Sequence, residues 1–437
     1  MPKPTPELWR RLAVTVAAPI AVFFSDFVQI PIPRDDRYPF QIPSLGVFEL
    51  GLVPIIAAFI IVELVALAIP RLRPLRIGGT AARARLARWS LVVGLVLAGV
   101  QAFSLTYAAG IYGLRNHLIF GGLMIAGTAV LVLTAKLVSR FGLGNGFSVV
   151  LVSGVVVDLA RQLTVLIRDV SDGFVTAMGA GFAVLIVAAF GVATARLLRR
   201  GGKGRASSNV VLRLPLCGVA PVLEAASLAA VFSTLANFGV DTSRIAAALT
   251  PGSPAYFWWL AAGIAVFGTA YALLFHRIGN VTRVFRQLGR VSDDAGFTNE
   301  LRLARWRGVV TSCAFLFAYI VVAQFPFGNW SLPGRALFQI GSAIILPAVV
   351  LDLIDEWRAR RAHGELASVW PEHRLYAVDP IVESLRSANI SAFPRGVYHR
   401  TLLQFFGPVI PVDIMVPSQR VTDARSLVEE KLGRKSA

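Results

Sequence analysis

Gly51-Leu-Val-Pro54-Ile-Ile56-Ala-Ala58 is repeated far along the chain as Gly218-Val-Ala-Pro221-Val-Leu223-Glu-Ala225. Each octet stands near the start of a long apolar segment, the second and the seventh of ten such segments. Paired Gly/Pro-interrupted helices at equivalent places in two halves of a membrane protein point to a path near mid-bilayer, where the halves meet. One such helix would mean little, because glycine and proline are common in membrane helices. Two at matching positions, with apolar residues after each proline, read as gate helices around a central passage.

Composition agrees with a membrane setting. Of 437 residues, 55% are hydrophobic and 16% charged, with a mean hydropathy of +0.65. Runs of about 20 apolar residues recur, long enough to cross ~30 Å of hydrocarbon. Only helices and closed barrels satisfy their backbone in lipid. The runs are continuous rather than alternating, so they are helices. Ten spans are expected, over roughly 11–32, 46–69, 89–109, 117–138, 146–167, 174–197, 216–237, 255–275, 308–327 and 336–356.

The net charge of +18 would suggest nucleic acid on a soluble protein. Here the basic residues fall in short loops and set orientation instead. They cluster after the second span (Arg71 to Arg88), after the sixth (Arg199, Arg200, Lys203, Arg205, Arg213) and after the eighth (Arg277, Arg283, Arg286, Arg290 to Arg307). Both termini are therefore expected in the cytoplasm, with no nucleic-acid partner. No small-residue cleavage site follows the first span, so no cleavable signal is expected.

Beyond Trp357 the character changes. Residues 361–373 read as a polar linker, and 374–437 as a small cytoplasmic βαββα domain, close to ferredoxin-like. Its strands are expected at Arg374–Val378, Ile390–Val397 and Val412–Pro417, and its helices at Asp379–Asn389 and Val421–Leu432.

Few residues suggest chemistry. Cys217 and Cys313 give neither a disulfide framework nor metal spacing. Five histidines, none paired at helical spacing, argue against a metal, and no catalytic motif or cofactor site is present. Arg140-Phe-Gly-Leu-Gly-Asn-Gly-Phe147-Ser148 has no preceding strand and no following lysine. It reads as a glycine-rich start to span five that lets helices approach closely. Acidic residues inside spans cost about 2.5–3.5 kcal/mol at mid-bilayer. Glu63 and Glu224 therefore stand out, as an ion-coupling pair or as the lining of a wet cavity.

Taken together, these stretches resemble the SecY family, the central channel of Sec protein translocation. Ile30-Pro-Ile-Pro33, the Gly51 octet, Val100-Gln-Ala102, Arg140–Ser148, Ala220-Pro221, Gly341-Ser342 and Asp352 follow the family's order and spacing over roughly residues 7–360. The resemblance implies an all-α bundle of ten transmembrane helices in two inverted halves, 1–170 and 171–360, in a bacterial plasma membrane. It implies an apolar pore ring at Leu52, Ile56, Phe147, Leu151, Leu223 and Ile345. Such a ring has no groups to solvate an ion and dewets when narrow. Plain core packing would also want these residues apolar. The resemblance further implies a lateral gate between spans two and seven, at Ala57, Glu63, Gln101, Glu224 and Ser227. Glu63 stands where the family has glutamine, Glu224 where it has an apolar residue, and Ala57 where a hydroxyl is usual.

Other features depart from the family. Arg34–Leu45 leaves little room for the family's plug helix, the loop Arg199–Arg213 is short, and Arg277–Arg307 lacks the usual Pro-Gly-x-Arg-Pro-Gly. In the family those two loops dock SecA or the ribosome, and their altered shape weighs against both partners. The tail resembles a small domain sometimes labelled as signal transducing, on Asp379-Pro380, Ala392–Gly396 and Val412–Pro417. The implied function is passage or membrane insertion of nascent or secreted polypeptides without an active site. Its implied partners are lipids and small subunits similar to SecE and SecG. Two other classes remain open at this point: a solute transporter coupled through Glu63 or Glu224, and a non-conducting regulatory scaffold.

Overall fold

The computed structural model describes residues 6–25, 27–30, 45–77, 80–109, 111, 113–173, 175–199, 217–237, 241–251, 253–288, 295–324, 339–406 and 410–432. The chain forms two compact units. The first comprises Met1–Val157, Leu353–Glu365 and Phe405–Pro411, and the second Asp158–Asp352, Leu366–Gln404 and Val412–Ala437.

The first unit begins with α1 (Pro6–Ser25) and a two-stranded antiparallel ribbon, β1 (Gln29–Ile30) with β2 (Leu45–Gly46). There follow α2 (Val53–Ala68), α3 (Arg73–Ile77), α4 (Thr80–Ala108), α5 (Leu114–Phe141) and α6 (Gly146–Ser171), the last crossing into the second unit after Val157. The segment Arg34–Leu45, expected to be too short for the family's plug helix, lies outside the described residues except for Leu45.

The second unit continues with α7 (Ala177–Arg199), α8 (Ala220–Asn237), α9 (Ser243–Ala248), α10 (Pro254–Phe275), α11 (Ile278–Gln287) and α12 (Ala295–Gln324). A π-helical turn, Gly341–Ile345, then opens α13 (Leu346–His363). Among the described residues, seven helices are long and apolar enough to cross a membrane: α1, α4, α5, α6, α7, α10 and α12. α2 and α8 are apolar but shorter. Many of the long helices carry outward-facing apolar side chains, such as Val96, Leu133, Leu185 and Val266. Those are the side chains a lipid tail would cover.

The tail differs from its expected layout. Leu366–Glu372, expected in a linker, is the first strand, β3. Arg374–Val378, expected as a strand, supplies the start of α14 (Leu375–Ser387). β4 is confined to Phe393–Arg395, and a short helix, α15 (Val397–Leu402), follows it. β5 (Val412–Pro417) and α16 (Val421–Leu432) stand as expected. The sheet is antiparallel in the order β3-β5-β4. A register shift between Ser368 and Trp370 marks a bulge, which breaks the alternation that would have announced β3. α14 also carries Pro380 inside it, although the helix was expected to begin only at Asp379.

The tail is seated on α11. Val281, Val284, Phe285 and Leu288 form one buried face of that helix, at spacings of three and four residues. Val284 and Leu288 join the same core as Trp370, Ile381, Leu385 and Val428. Arg283 and Arg286 lie on its exposed face.

Candidate functional site

The two octets are starts of helices, not interruptions within them. Gly51 has φ +56° and Gly218 φ +61°, and α2 and α8 begin two residues later, at Val53 and Ala220. That left-handed backbone is one glycine adopts at little cost. Pro54 and Pro221 each fall at the second helical residue, in the first turn, where no intrahelical N–H is needed. The first two residues of each octet therefore stand outside the helix, and within the expected spans 46–69 and 216–237 the helices are α2 (Val53–Ala68) and α8 (Ala220–Asn237).

The repeat extends into the packing. Ala58 and Ala225, the last residues of the octets, are both buried. In the first unit α2 crosses α4 at Gly94, where a Cβ would lie 2.7 Å from the Ile55 Cδ1 and 3.4 Å from the Ala58 Cβ. In the second, α8 crosses α10 at Gly263, where a Cβ would lie 2.3 Å from that of Ala225. Each of α2 and α8 is thus clamped against its neighbour through a glycine facing the same octet position. Ile56 and Leu223, equivalent within the octets, are both half-buried.

The first unit gathers three of the expected ring residues. Leu52, Ile56 and Phe147 share one apolar cluster with Leu131, Ala135 and Val150. Phe147 also meets Phe59 of α2 edge-on at 6.0 Å between ring centroids. Leu151 is half-buried one turn further along α6. The glycine-rich stretch sets the start of that helix. Leu143 N–H donates to Thr15 Oγ1 at 2.7 Å, and Gly144 N–H to Glu356 Oε2 at 2.7 Å. Gly146 passes so close to Ala135 that a Cβ there would overlap its carbonyl oxygen. Close approach is the role expected of these glycines. In the second unit, Leu223 lies in α8, and Ile345 closes the π-helical turn. That turn takes a hydrogen bond from Thr194 Oγ1 of α7 at its Ala343 carbonyl, at 3.3 Å.

Of the expected gate residues, Ala57 and Gln101 are half-buried, in α2 and α4. Ser227 is exposed on α8. Glu63 is buried and ion-paired with Arg76 of α3. Glu224 is half-buried and accepts a hydrogen bond from the Tyr271 hydroxyl of α10 at 2.9 Å. The two carboxylates thus each have a partner inside their own unit. Of the expected basic loops, Arg199 ends α7, while Arg200, Lys203, Arg205 and Arg290 lie outside the described residues.

Sequence reasoning missed the seat of the tail. In the second unit Asp352 of α13 accepts the N–H groups of Tyr398 (3.0 Å) and His399 (2.9 Å), and its Oδ2 lies 2.9 Å from His399 Nδ1. The Leu402 carbonyl accepts the Val219 N–H at 2.9 Å. In the first unit Phe406 packs edge-on against Phe59 at 5.4 Å. No local signal in the sequence carries these contacts, which join residues far apart in the chain.

These features define a mostly helical protein with several helices long and apolar enough to cross a membrane, and with two helices, α2 and α8, that start in the same way. Residues 46–292 match the SecY family, and the chain belongs to that family. It is similar to the protein translocase subunit SecY of Pseudomonas aeruginosa, with 24% identity over 329 residues, 65% of this chain and 74% of that one. It also shares its fold with solved channels. One, described as a protein-conducting channel, superposes with a TM-score of 0.56 at 14% identity, over 83% of this chain and 94% of the other. Another superposes with a TM-score of 0.55 at 14% identity over the same shares; it is a SecY protein whose plug domain is described as stabilising the closed state and maintaining a membrane seal.

Proposed function

We propose that this chain is a SecY-like channel or insertion component that passes polypeptides through an apolar ring. The ring comprises Leu52, Ile56, Phe147, Leu151, Leu223 and Ile345, contributed by ten spans in two inverted halves. The observation that carries this reading is the repeat itself. Both octets adopt the same left-handed glycine and the same proline-bearing helix start, and both leave their sixth residue, Ile56 and Leu223, half-buried. Identical local geometry at two gate-type helices is what two inverted halves around one passage require. Apolar contacts are non-directional, so they can yield to a sliding chain and close behind it.

In this reading α2 and α8 part to release apolar segments into lipid, with Gln101 and Ser227 lowering the cost and Ala57 standing where a hydroxyl is usual. Both termini are cytoplasmic, the tail lies on that side, and the basic loops meet anionic lipid headgroups. SecE-like and SecG-like small subunits are the partners the family relation favours. The test is photo-cross-linking in cells from a photoreactive residue at Ile56 or Leu223, followed by identification of the adduct. Nascent or secreted polypeptide is the expected product. Adducts with lipid alone would overturn the reading.

A further inference from the structure

The two cysteines, which chain spacing alone does not connect, meet inside the second unit. Cys217 immediately precedes Gly218 of the second octet, and Cys313 lies on α12. Both stand over Gly268 of α10. A Cβ built on that glycine would lie 2.8 Å from the Cys313 Sγ, 3.6 Å from the Cys217 Sγ and 3.8 Å from the Cys217 Cβ. The missing side chain on α10 is therefore what leaves room for two sulfurs at one point. The thiols are hydrogen-bonded to each other, and the Ser312 hydroxyl lies beside the Cys217 sulfur. The Cys313 thiol also points at the Ile264 carbonyl of α10, with 3.7 Å between Sγ and oxygen.

The two sulfurs differ in access. Cys217 is 1% exposed, whereas Cys313 is half-buried. A cysteine that serves only as a small apolar filler needs no sulfur partner. Here a reachable thiol is backed by an unreachable one, which is how a sensing cysteine stands in front of the cysteine that resolves it. The place of the pair matters too. α8 and α12 both pack on α10, and Cys217 is the residue through which the entry to α8 touches α12.

We propose that Cys217 and Cys313 form a hydroperoxide-sensitive thiol pair whose disulfide staples the start of α8 to α12. The oxidant is hydrogen peroxide or a lipid hydroperoxide. The Cys313 sulfur, as thiolate, attacks the terminal peroxide oxygen; the O–O bond breaks, and water or the lipid alcohol leaves with the proton Cys313 gave up. The Cys217 sulfur then attacks the Cys313 sulfenic acid. The S–S bond forms, the S–O bond breaks, and the hydroxyl leaves as water with the Cys217 proton. The electron pair lost by the two sulfurs reduces the peroxide, and a dithiol reverses the staple by exchange. The consequence for function rests on the channel reading above: with α8 as a gate helix, the staple restrains its movement.

The test uses the full-length protein in membrane vesicles. The vesicles are treated with hydrogen peroxide or cumene hydroperoxide, quenched in acid, denatured, alkylated with a maleimide and digested for mass spectrometry. Because the chain has two cysteines, each outcome has a single assignment. An intramolecular Cys217–Cys313 disulfide peptide, reversed by dithiothreitol, is the expected product. Cys217→Ser should leave Cys313 as a sulfenic acid that dimedone traps, and Cys313→Ser should leave the Cys217 thiol intact. Two maleimide-labelled thiols after peroxide treatment would overturn the pair, and so would dimedone adducts at Cys313 with Cys217 present and unlinked. Polypeptide adducts from a photoreactive residue at Ile56 read the consequence separately. They should be lost on oxidation, return with dithiothreitol, and be indifferent to peroxide in Cys217→Ser/Cys313→Ser. A disulfide that forms without changing them overturns the restraint on α8. Absence of polypeptide adducts in the reduced protein overturns the channel reading and leaves the disulfide pair standing.

Discussion

Gly51 and Gly218 hold the same backbone angle in different surroundings, and that difference can be measured. Nothing lies within 4 Å of a Cβ built on Gly51, whereas one on Gly218 would strike the Leu402 carbonyl. Gly51→Ala therefore carries only the left-handed penalty, about 1–2 kcal/mol. Gly218→Ala carries that penalty and must also push the tail backbone aside. Thermal unfolding in detergent should show the larger loss for Gly218→Ala. The excess should vanish when residues 397–432 are deleted, since additivity fails only between residues in contact. An equal loss in both backgrounds would mean that the tail carbonyl is not the obstacle. The glycines and prolines themselves were legible in the sequence because the octet repeats. Their role was legible only in part: they start helices rather than break them, and only backbone angles reveal that.

At the level of elements, β3 and α14 show where sequence patterns mislead. The bulge at Ser368–Trp370 removed the alternation, and the helix expected from Asp379 starts four residues earlier, at Leu375. What fixes this corner is an ion pair next to Trp370. Burial alone would raise the Glu372 carboxyl, but the charge and hydrogen bonds of Arg374 outweigh it and hold the group at about 2. The contacts are Arg374 Nε to Oε1 and Nη2 to Oε2, both 2.8 Å, with Trp370 Nε1 donating to Oε2 at 3.3 Å. A carboxylate depressed in the folded state stabilises above its unfolded value, here 4.5, and that stability is lost as pH falls toward about 2. The difference corresponds to about 3 kcal/mol at neutral pH. The tail's thermal midpoint should therefore fall between about pH 5 and pH 3, and Glu372→Gln should lower it at neutral pH while flattening that decline. A Gln variant with an unchanged acid profile would mean that other groups govern it. Seven helices among the described residues are long and apolar enough to cross a membrane, and these were legible in the sequence because hydrocarbon demands long apolar runs. The tail obeys no such constraint, and its first strand was hidden.

For the molecule as a whole, the choice between a polypeptide channel and a coupled solute transporter turns on Glu63 and Glu224. A coupling carboxylate must exchange its proton or ion with a path through the membrane. Glu63 is 2% exposed and paired with Arg76, so its charge is already matched within the first unit. Its carboxylate, which in sequence stood out as one of an ion-coupling pair or the lining of a wet cavity, reads in the structure as a brace between α2 and α3. Glu224 is tied to Tyr271 across α8 and α10, beside the Gly263 crossing that already clamps those helices. If both are braces, they act on stability and not on transport. Glu63→Gln leaves the Arg76 guanidinium without its charge partner and should destabilise the protein by about 2 kcal/mol or more, toward the range for breaking a buried pair. Glu224→Gln keeps an acceptor for the Tyr271 hydroxyl and should cost under about 1 kcal/mol. Neither should change the identity or yield of polypeptide adducts at Ile56, measured at a temperature where the variant remains folded. Loss of a solute gradient on Glu224→Gln, with stability intact, would instead assign the carboxylate to coupling.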